Sequence, residues 1–348
     1  MKRIRSVVLA MMAVVMAGAY TMAPVTAHAA SSAALSIVPR KNYTIAQGKS
    51  VKDKLIISNL DRKEPLNLSL RVVDFTYTDD GGTPKLMLAE DAPQTTWSLK
   101  PFLTVPKNVS IPAKGTKSVP IDVAIPAGHG AGSYYSAIVY SSGSSDSGNV
   151  GLSASGVTLV FTQIPGKVKE DLTLTNFGAY DHKADGGKGA YQFIATSMPE
   201  MLAYSLKNNG NVTESPVGSI TLKGMFGNEQ VISDVNPNKS LALIGQERTF
   251  TACIKLKAED VQFQGSSSRL TECATPSLWP GRYEATLDIF YGQNGNNTSE
   301  IVKTVSFWYL PWWFILVFLV VLLVAIYFVW RTVNKIRARL NKPRSRRR

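Results

Sequence analysis

Residues able to ligate metals or act as nucleophiles are scarce in this chain. Of its 348 residues, two are cysteine and three are histidine. His28, His129 and His182 stand far apart, none with a partner at metal-ligand spacing. The sequence has no H-E-x-x-H, C-x-x-C or G-x-S-x-G motif and no phosphate-binding glycine loop. Serine is abundant in turn-like stretches, and nothing marks one as a nucleophile. Asp74, Asp79 and Asp80 beside Gly81-Gly82 do not fit the spacing of an EF-hand loop, and suit a hairpin turn better than calcium. No cofactor, metal site or catalytic residue is expected.

Acidic residues are missing from both ends. The formal net charge is +13, with 38 basic and 25 acidic residues, a balance that at first suggests a nucleic-acid partner. Residues 1–30 hold three basic residues and 308–348 hold nine, with no acid in either segment, whereas 31–307 holds 26 basic and 25 acidic. The excess therefore lies at the two ends, and nucleic-acid binding is not expected.

Each end has a membrane signature. Lys2, Arg3 and Arg5 precede an apolar run from Val7 to Ala19, then Ala27-His28-Ala29. This is the pattern of a secretory signal peptide over 1–29, cut between Ala29 and Ala30. From Trp308 to Trp330 the chain carries no charge. As a helix this run would reach about 34 Å, enough for the roughly 30 Å core of a bilayer. Trp308, Tyr309, Trp312 and Trp313 at one end and Trp330 at the other are the expected interfacial aromatics. Past the run, Arg331, Lys335, Arg337 and Arg339 open a basic tail over 331–348, which the positive-inside rule places in the cytoplasm. The expected topology is a single-pass cell-membrane protein at a bacterial cell surface, with its N-terminus outside.

Between these ends, a long apolar stripe of period 3.6 is absent and period two dominates. Leu66, Leu68, Leu70 and Val72 alternate with polar neighbours, as do Val119, Ile121, Val123 and Ile125, and again Tyr283, Ala285, Leu287, Ile289 and Tyr291. Such alternation marks antiparallel sheets with one covered face. Further candidate strands lie at 34–38, 53–58, 133–141, 155–163, 170–175, 201–207, 217–223 and 248–256. The expected fold class is all-β: two immunoglobulin-like β-sandwich domains, at 30–166 and 167–307, plus one C-terminal transmembrane α-helix at 308–330. The Ser- and Gly-rich stretch 141–149 reads as a long loop inside the first domain, and 181–189 as another.

Cys253 and Cys273 both fall in the second domain and are expected to form a disulfide in an oxidising compartment. Closing a loop of that size stabilises by about 3 kcal/mol on a chain-entropy basis. Alternation puts Cys253 opposite Phe250 and Ile254, so the bridge is expected to pin 257–272 to the surface of the sheet. Tyr77, Trp97 and Tyr134 or Tyr135 are candidates for ligand contact, with packing the stronger expectation.

Residues 35–140 contain LSIVP, IAQGKSVKDKLIISNLD, LNLSLRVVDFTYTDDGG and VSIPAKGTKSVPIDVAIPAGHGAGSYYSAIVY. This order resembles the N-terminal domain of bacterial WxL-interacting surface proteins, a domain described as peptidoglycan-binding. LKNNGNVTESPVGSITLKGMFGNE, WPGRYEATLDIFYG and FWYLPW are similar to the membrane-proximal part of related surface proteins. The chain departs from the family in its two cysteines and in lacking a clear match to the usual second, host-binding domain. The resemblance implies a non-catalytic protein that holds peptidoglycan, a cell-wall polymer, or a partner surface protein. Paired sandwiches also suit a chaperone-like assembly factor acting by strand donation, and a cell-wall hydrolase is a third reading.

Overall fold

The computed structural model describes residues 35–77, 82–89, 91–142, 154–181, 189–263, 266–292 and 299–340. The expected signal peptide with its Ala29–Ala30 cleavage site, Asp79, Asp80, His182, most of the 141–149 loop and the tail beyond 340 lie outside the described residues. Among the described residues the fold is mostly β-sheet, with a short 3-10 turn at Lys100–Phe102 and one long C-terminal helix.

The first eleven strands are β1 (Leu35–Ile37), β2 (Arg40–Thr44), β3 (Ser50–Asn59), β4 (Leu66–Val73), β5 (Phe75–Tyr77), β6 (Pro84–Leu86), β7 (Leu103–Thr104), β8 (Asn108–Ile111), β9 (Thr116–Ala124), β10 (Gly132–Ser142) and β11 (Ala154–Ile164). They form one sheet ordered β1-β3-β9-β7, a facing sheet ordered β2-β11-β10-β4-β8, and the small hairpin β5-β6. Alternation supplies the core between the sheets. Leu66, Leu68 and Leu70 of β4 and Val119, Ile121 and Val123 of β9 are buried together with Ile57 and Ile138.

One strand breaks the alternation for a physical reason. In β10, every residue from Tyr135 to Tyr140 is buried, because the five-stranded sheet is covered on both faces. On its outer face, Val73, Phe75, Tyr135, Ala137, Val139 and Phe161 pack against Leu241 and Leu243 from further along the chain.

The later strands are β12 (Leu172–Asp181), β13 (Ala190–Gln192), β14 (Ile194–Ala195), β15 (Met201–Asn208), β16 (Val217–Gly224), β17 (Glu229–Ile232), β18 (Glu247–Cys253), β19 (Lys255–Phe263), β20 (Ser266–Ala274), β21 (Gly281–Tyr291) and β22 (Ser299–Tyr309). A sheet ordered β13-β12-β15-β18 faces one ordered β14-β22-β21-β16-β17, and β19-β20 is a separate hairpin. Stacked ring pairs Tyr204–Phe250 and Tyr283–Phe307 sit in this second core.

The two units share a device. In each, a short strand runs parallel to the last long strand: β2 beside β11, and β14 beside β22. In the first unit Pro39 sits at the switch, where the chain leaves the β1 sheet and joins the β2 sheet. Proline lacks an N–H and breaks a ladder at low cost there.

Cys253 and Cys273 are bridged, with Cα atoms 5.1 Å apart. The position of 257–272 differs from expectation. These residues pair with each other as the hairpin β19-β20, and the bridge joins the base of that hairpin to the end of β18. The arm forms its own two-stranded sheet, so its ladder does not depend on the larger ones.

The helix also starts later and runs further than the apolar run suggested. Trp308 and Tyr309 are the last residues of β22, paired with Arg282 and Gly281, and Tyr309 is buried. Helix α1 (Trp312–Leu340) follows after only Leu310 and Pro311. Trp312, Trp313 and Trp330 lie on α1, as do Arg331, Lys335 and Arg337, and the backbone is helical at Arg339. Residues Trp312–Arg337 are long and apolar enough to cross a membrane; their most apolar stretch has a mean hydropathy of 2.9, and none of that stretch is buried. Composition alone could not separate an aromatic strand end from a helix start, because both are rich in Trp and Tyr.

Candidate functional site

Strand β2 forms the edge of the five-stranded sheet and is polar: Arg-Lys-Asn-Tyr-Thr. It is held from beneath by β3. Asp53 accepts hydrogen bonds from Lys41 Nζ and Tyr43 Oη, each at 2.7 Å. The bond from Lys41, then that from Tyr43, holds the Asp53 carboxyl at about 2. Burial, then the bond to Asp53, raises the Tyr43 phenol well above its ordinary value. This clamp crosses from one sheet to the other and fixes an edge strand of only five residues.

The ladder shows which backbone groups remain open. The N–H of Leu159 donates to Pro39 O at 2.9 Å and the N–H of Ile45 to Gln163 O at 3.0 Å. Parallel alternation then turns Lys41 and Tyr43 toward β11 and leaves the N–H and C=O groups of Arg40, Asn42 and Thr44 on the outer edge. The pairing covers only Leu159 to Gln163 of β11. N-terminal to Thr158, no strand among the described residues lies along that edge of β11. β1 passes beneath it through side chains: a Cβ on Gly156 would come within 2.8 Å of Ile37 Cδ1.

A cleft of about 300 Å³ opens where this edge meets the second unit, lined by Arg40, Asn42, Thr44, Phe161, Thr213 and Leu241 among others. The Arg40 guanidinium stands 4.7 Å over the Phe161 ring, and its Nε donates to Asn42 Oδ1 at 2.9 Å. Among the described residues Arg40 forms no ion pair. Burial lowers its pKa, yet a guanidinium so placed stays charged. The cleft thus places a cation and a row of unpaired backbone groups side by side.

The floor of the cleft is the junction of the two units, which is polar at one side and apolar at the other. Ser133 N–H donates to Asn211 O at 2.9 Å, Thr213 N–H to Ser133 Oγ at 3.0 Å, and Asn211 Nδ2 to Ala131 O at 3.0 Å. Gly132 fits because a Cβ there would lie 2.6 Å from Asn211 O. Across the apolar side, Arg248 stacks over Tyr77 at 4.7 Å and donates to Leu241 O at 2.8 Å, while Tyr77 N–H donates to Gln246 Oε1.

The candidate contact aromatics fall mostly in this junction. Tyr135 is fully buried, and Tyr77 and Trp97 pack against the same cluster. Tyr134 lies against the His129 ring, and its hydroxyl donates to Gly130 O. Asp74 is buried and accepts from Ser98 Oγ at 2.6 Å, from Ser136 Oγ at 3.0 Å, and from the N–H and Oγ1 of Thr95. That hydrogen-bonding fills its acceptor capacity. Among the described residues, no group of three or more His, Cys, Asp or Glu could hold a metal ion.

Arg40 and Arg248 were not singled out by sequence reasoning. The usable signal was Lys41 and Tyr43 at inward positions of an otherwise alternating stretch, since an inward charge is a device of edge strands. Nothing local marks Arg248, whose ring partner Tyr77 lies in the other unit.

No family model matches the chain, and no curated protein matches it. Solved structures of similar fold include the class 5 fimbriae chaperone CfaA, with 12% identity over 78% of this chain and 98% of that one, at a TM-score of 0.32. The E. coli chaperone DraB gives 12% identity, the same coverages and a TM-score of 0.31. A structure of the Salmonella enterica SafA pilin in complex with the SafB chaperone gives 8% identity over 78% and 96%, at 0.32.

Proposed function

We propose that this chain is a non-catalytic, membrane-tethered assembly factor that holds a segment of an extracytoplasmic protein by β-strand pairing along β2 and β11. The observation that carries the reading is the open edge: β2 is clamped in place, and among the described residues its outer N–H and C=O groups have no backbone partner and no strand covers β11 beyond it. An extended segment added there would gain main-chain hydrogen bonds, and the cleft beside it would select the side chains. Arg40 and Lys41 discourage indiscriminate pairing, and Arg40 favours a segment that brings a carboxylate. β22 has a similar open edge beyond the two-residue β14. The basic N-terminus and tail support placing both units outside the membrane and the tail in the cytoplasm.

The test uses the full chain in its native envelope, with a photo-crosslinking residue at Asn42, at Val302 on β22, or at Ile56 on the opposite sheet of the first unit. Adducts with protein partners are expected at 42 and not at 56 or 302. Asn42→Pro removes one outward N–H while sparing the bonds of Lys41 and Tyr43 to β11. It is expected to reduce adduct formation from a probe at Thr44 at least several-fold, with little change in Tm. Equal crosslinking at all three sites, or adducts insensitive to Asn42→Pro, would sink strand pairing. Co-sedimentation with purified peptidoglycan that is unchanged by Asn42→Pro would instead favour the wall-polymer reading implied by the resemblance.

A further inference from the structure

β22 leads into α1 through Leu310 and Pro311 alone, and these two residues are not a free tether. Leu310 N–H donates to Ala195 O at 2.9 Å, and Pro311 O accepts from Phe314 and Ile315 N–H at the helix start. The end of the second unit therefore lies within a few residues of the first turn of the apolar helix.

That same end presents apolar side chains that the fold does not use. Phe226 is 75% exposed and Trp279 is 72%, with Phe193 at 67%, comparable to Trp312 on the helix itself at 69%. Register puts them together. Gly224 pairs with Tyr283, so Met225 and Phe226 form the turn just beyond, where Met225 N–H donates to Arg282 O. Trp279 precedes Gly281, which pairs with Tyr309, and Tyr283 Oη donates to Trp279 O. Phe193 O accepts from Trp308 N–H, and Ile194 pairs with Trp308. Three separate loops thus converge around the point where strand becomes helix.

Exposed apolar groups gathered at one end of a domain mark an interaction surface. Covalent continuity with α1 identifies the occupant as the lipid bilayer. We infer that Phe193, Ile194, Met225, Phe226 and Trp279 insert into the headgroup region of the membrane that α1 crosses, seating the second unit on the lipid. Aromatic side chains favour that depth because their apolar body and polarisable ring suit a boundary region. The inference rests on reading α1 as a membrane span.

Nitroxide labels on single introduced cysteines, with the native bridge intact, test this in the full chain reconstituted into phosphatidylcholine–phosphatidylglycerol vesicles. The sites are Phe226→Cys, Trp279→Cys, Phe193→Cys, Leu60→Cys in the first unit and Val320→Cys within α1. Relative accessibility to oxygen and to a water-soluble nickel chelate is expected to read hydrocarbon at 320, water at 60, and interfacial depth at 226 and 279. Position 193, further back along β22, is expected to read shallower. Aqueous values at 226 and 279 with hydrocarbon at 320 would overturn the seating and keep the span. An aqueous value at 320 would overturn both. Spin–spin broadening at 226 or 279 that vanishes on dilution with unlabelled chain would show that a second copy, not lipid, covers the surface.

Discussion

At the scale of single residues, buried polar groups hold the turns and the junction. Asn208 is wholly buried; its Nδ2 donates to Val212 O at 2.7 Å and Ala242 O at 3.0 Å, and its Oδ1 accepts from Gly210 N–H. Asn59 does the same work at the end of β3, donating to Glu64 O and accepting from Asp61 N–H. Asn208→Ala leaves Val212 O and Gly210 N–H without this partner, while Ala242 O keeps its bond from Glu214 N–H, and is expected to cost about 2–3 kcal/mol in chemical denaturation. Glu214 sets a different balance. It is fully buried, one oxygen accepts from Gly292 N–H at 3.2 Å, and burial, then the charge of Glu170, raises its carboxyl to about 7 from the ordinary 4.5. A raised carboxyl favours the protonated folded state, so stability is greatest below about pH 4.5 and falls as pH rises through 7. Wild type is expected to lose roughly 2–3 kcal/mol of stability from this group between pH 4.5 and pH 8. Glu214→Gln should flatten that part of the profile; an identical slope in the variant would refute the assignment.

Among the elements, the strands with clean alternation were legible in the sequence. Leu66 to Val72, Val119 to Ile125 and Tyr283 to Tyr291 all alternate, and each became a strand with its apolar set inward. What stayed hidden depended on contacts made far away in the chain. The buried run in β10 owes its outer-face cover to Leu241 and Leu243, about a hundred residues later. The switch from β1 to β2 at Pro39 looks locally like a strand end, and its edge position follows only from pairing with Leu159–Gln163. The hairpin β19-β20 was concealed by polar composition, and its disulfide was visible only as a pair of cysteines. Because that bridge closes around an arm paired with itself, Cys253→Ser with Cys273→Ser is expected to expose 255–274 to proteolysis and to leave the core of the second unit folded. Limited proteolysis followed by mass spectrometry checks this, and loss of the whole unit would contradict it.

For the whole molecule, the central fact is that the two sandwiches meet directly. The sheet holding the candidate edge uses its outer face to dock on residues 241–244, so the cleft exists only while the junction holds. Gly132→Val would drive a branched side chain against Asn211 O and is expected to separate the units. Faster hydrogen exchange at Ser133 and Thr213 would report the opening, together with weaker partner crosslinking at Asn42. Faster exchange with unchanged crosslinking would show that the edge acts without the cleft.

The direct run of β22 into α1 also has a mechanical meaning. Eleven residue pairs join β22 to β21, and tension arriving through the helix acts along the strand, perpendicular to those hydrogen bonds. They are strained together in shear rather than opened one after another. A partner tugged outward would therefore pull on a unit that resists up to one threshold and then ruptures in a single event. Force–extension records that showed gradual peeling from the α1 end would contradict this.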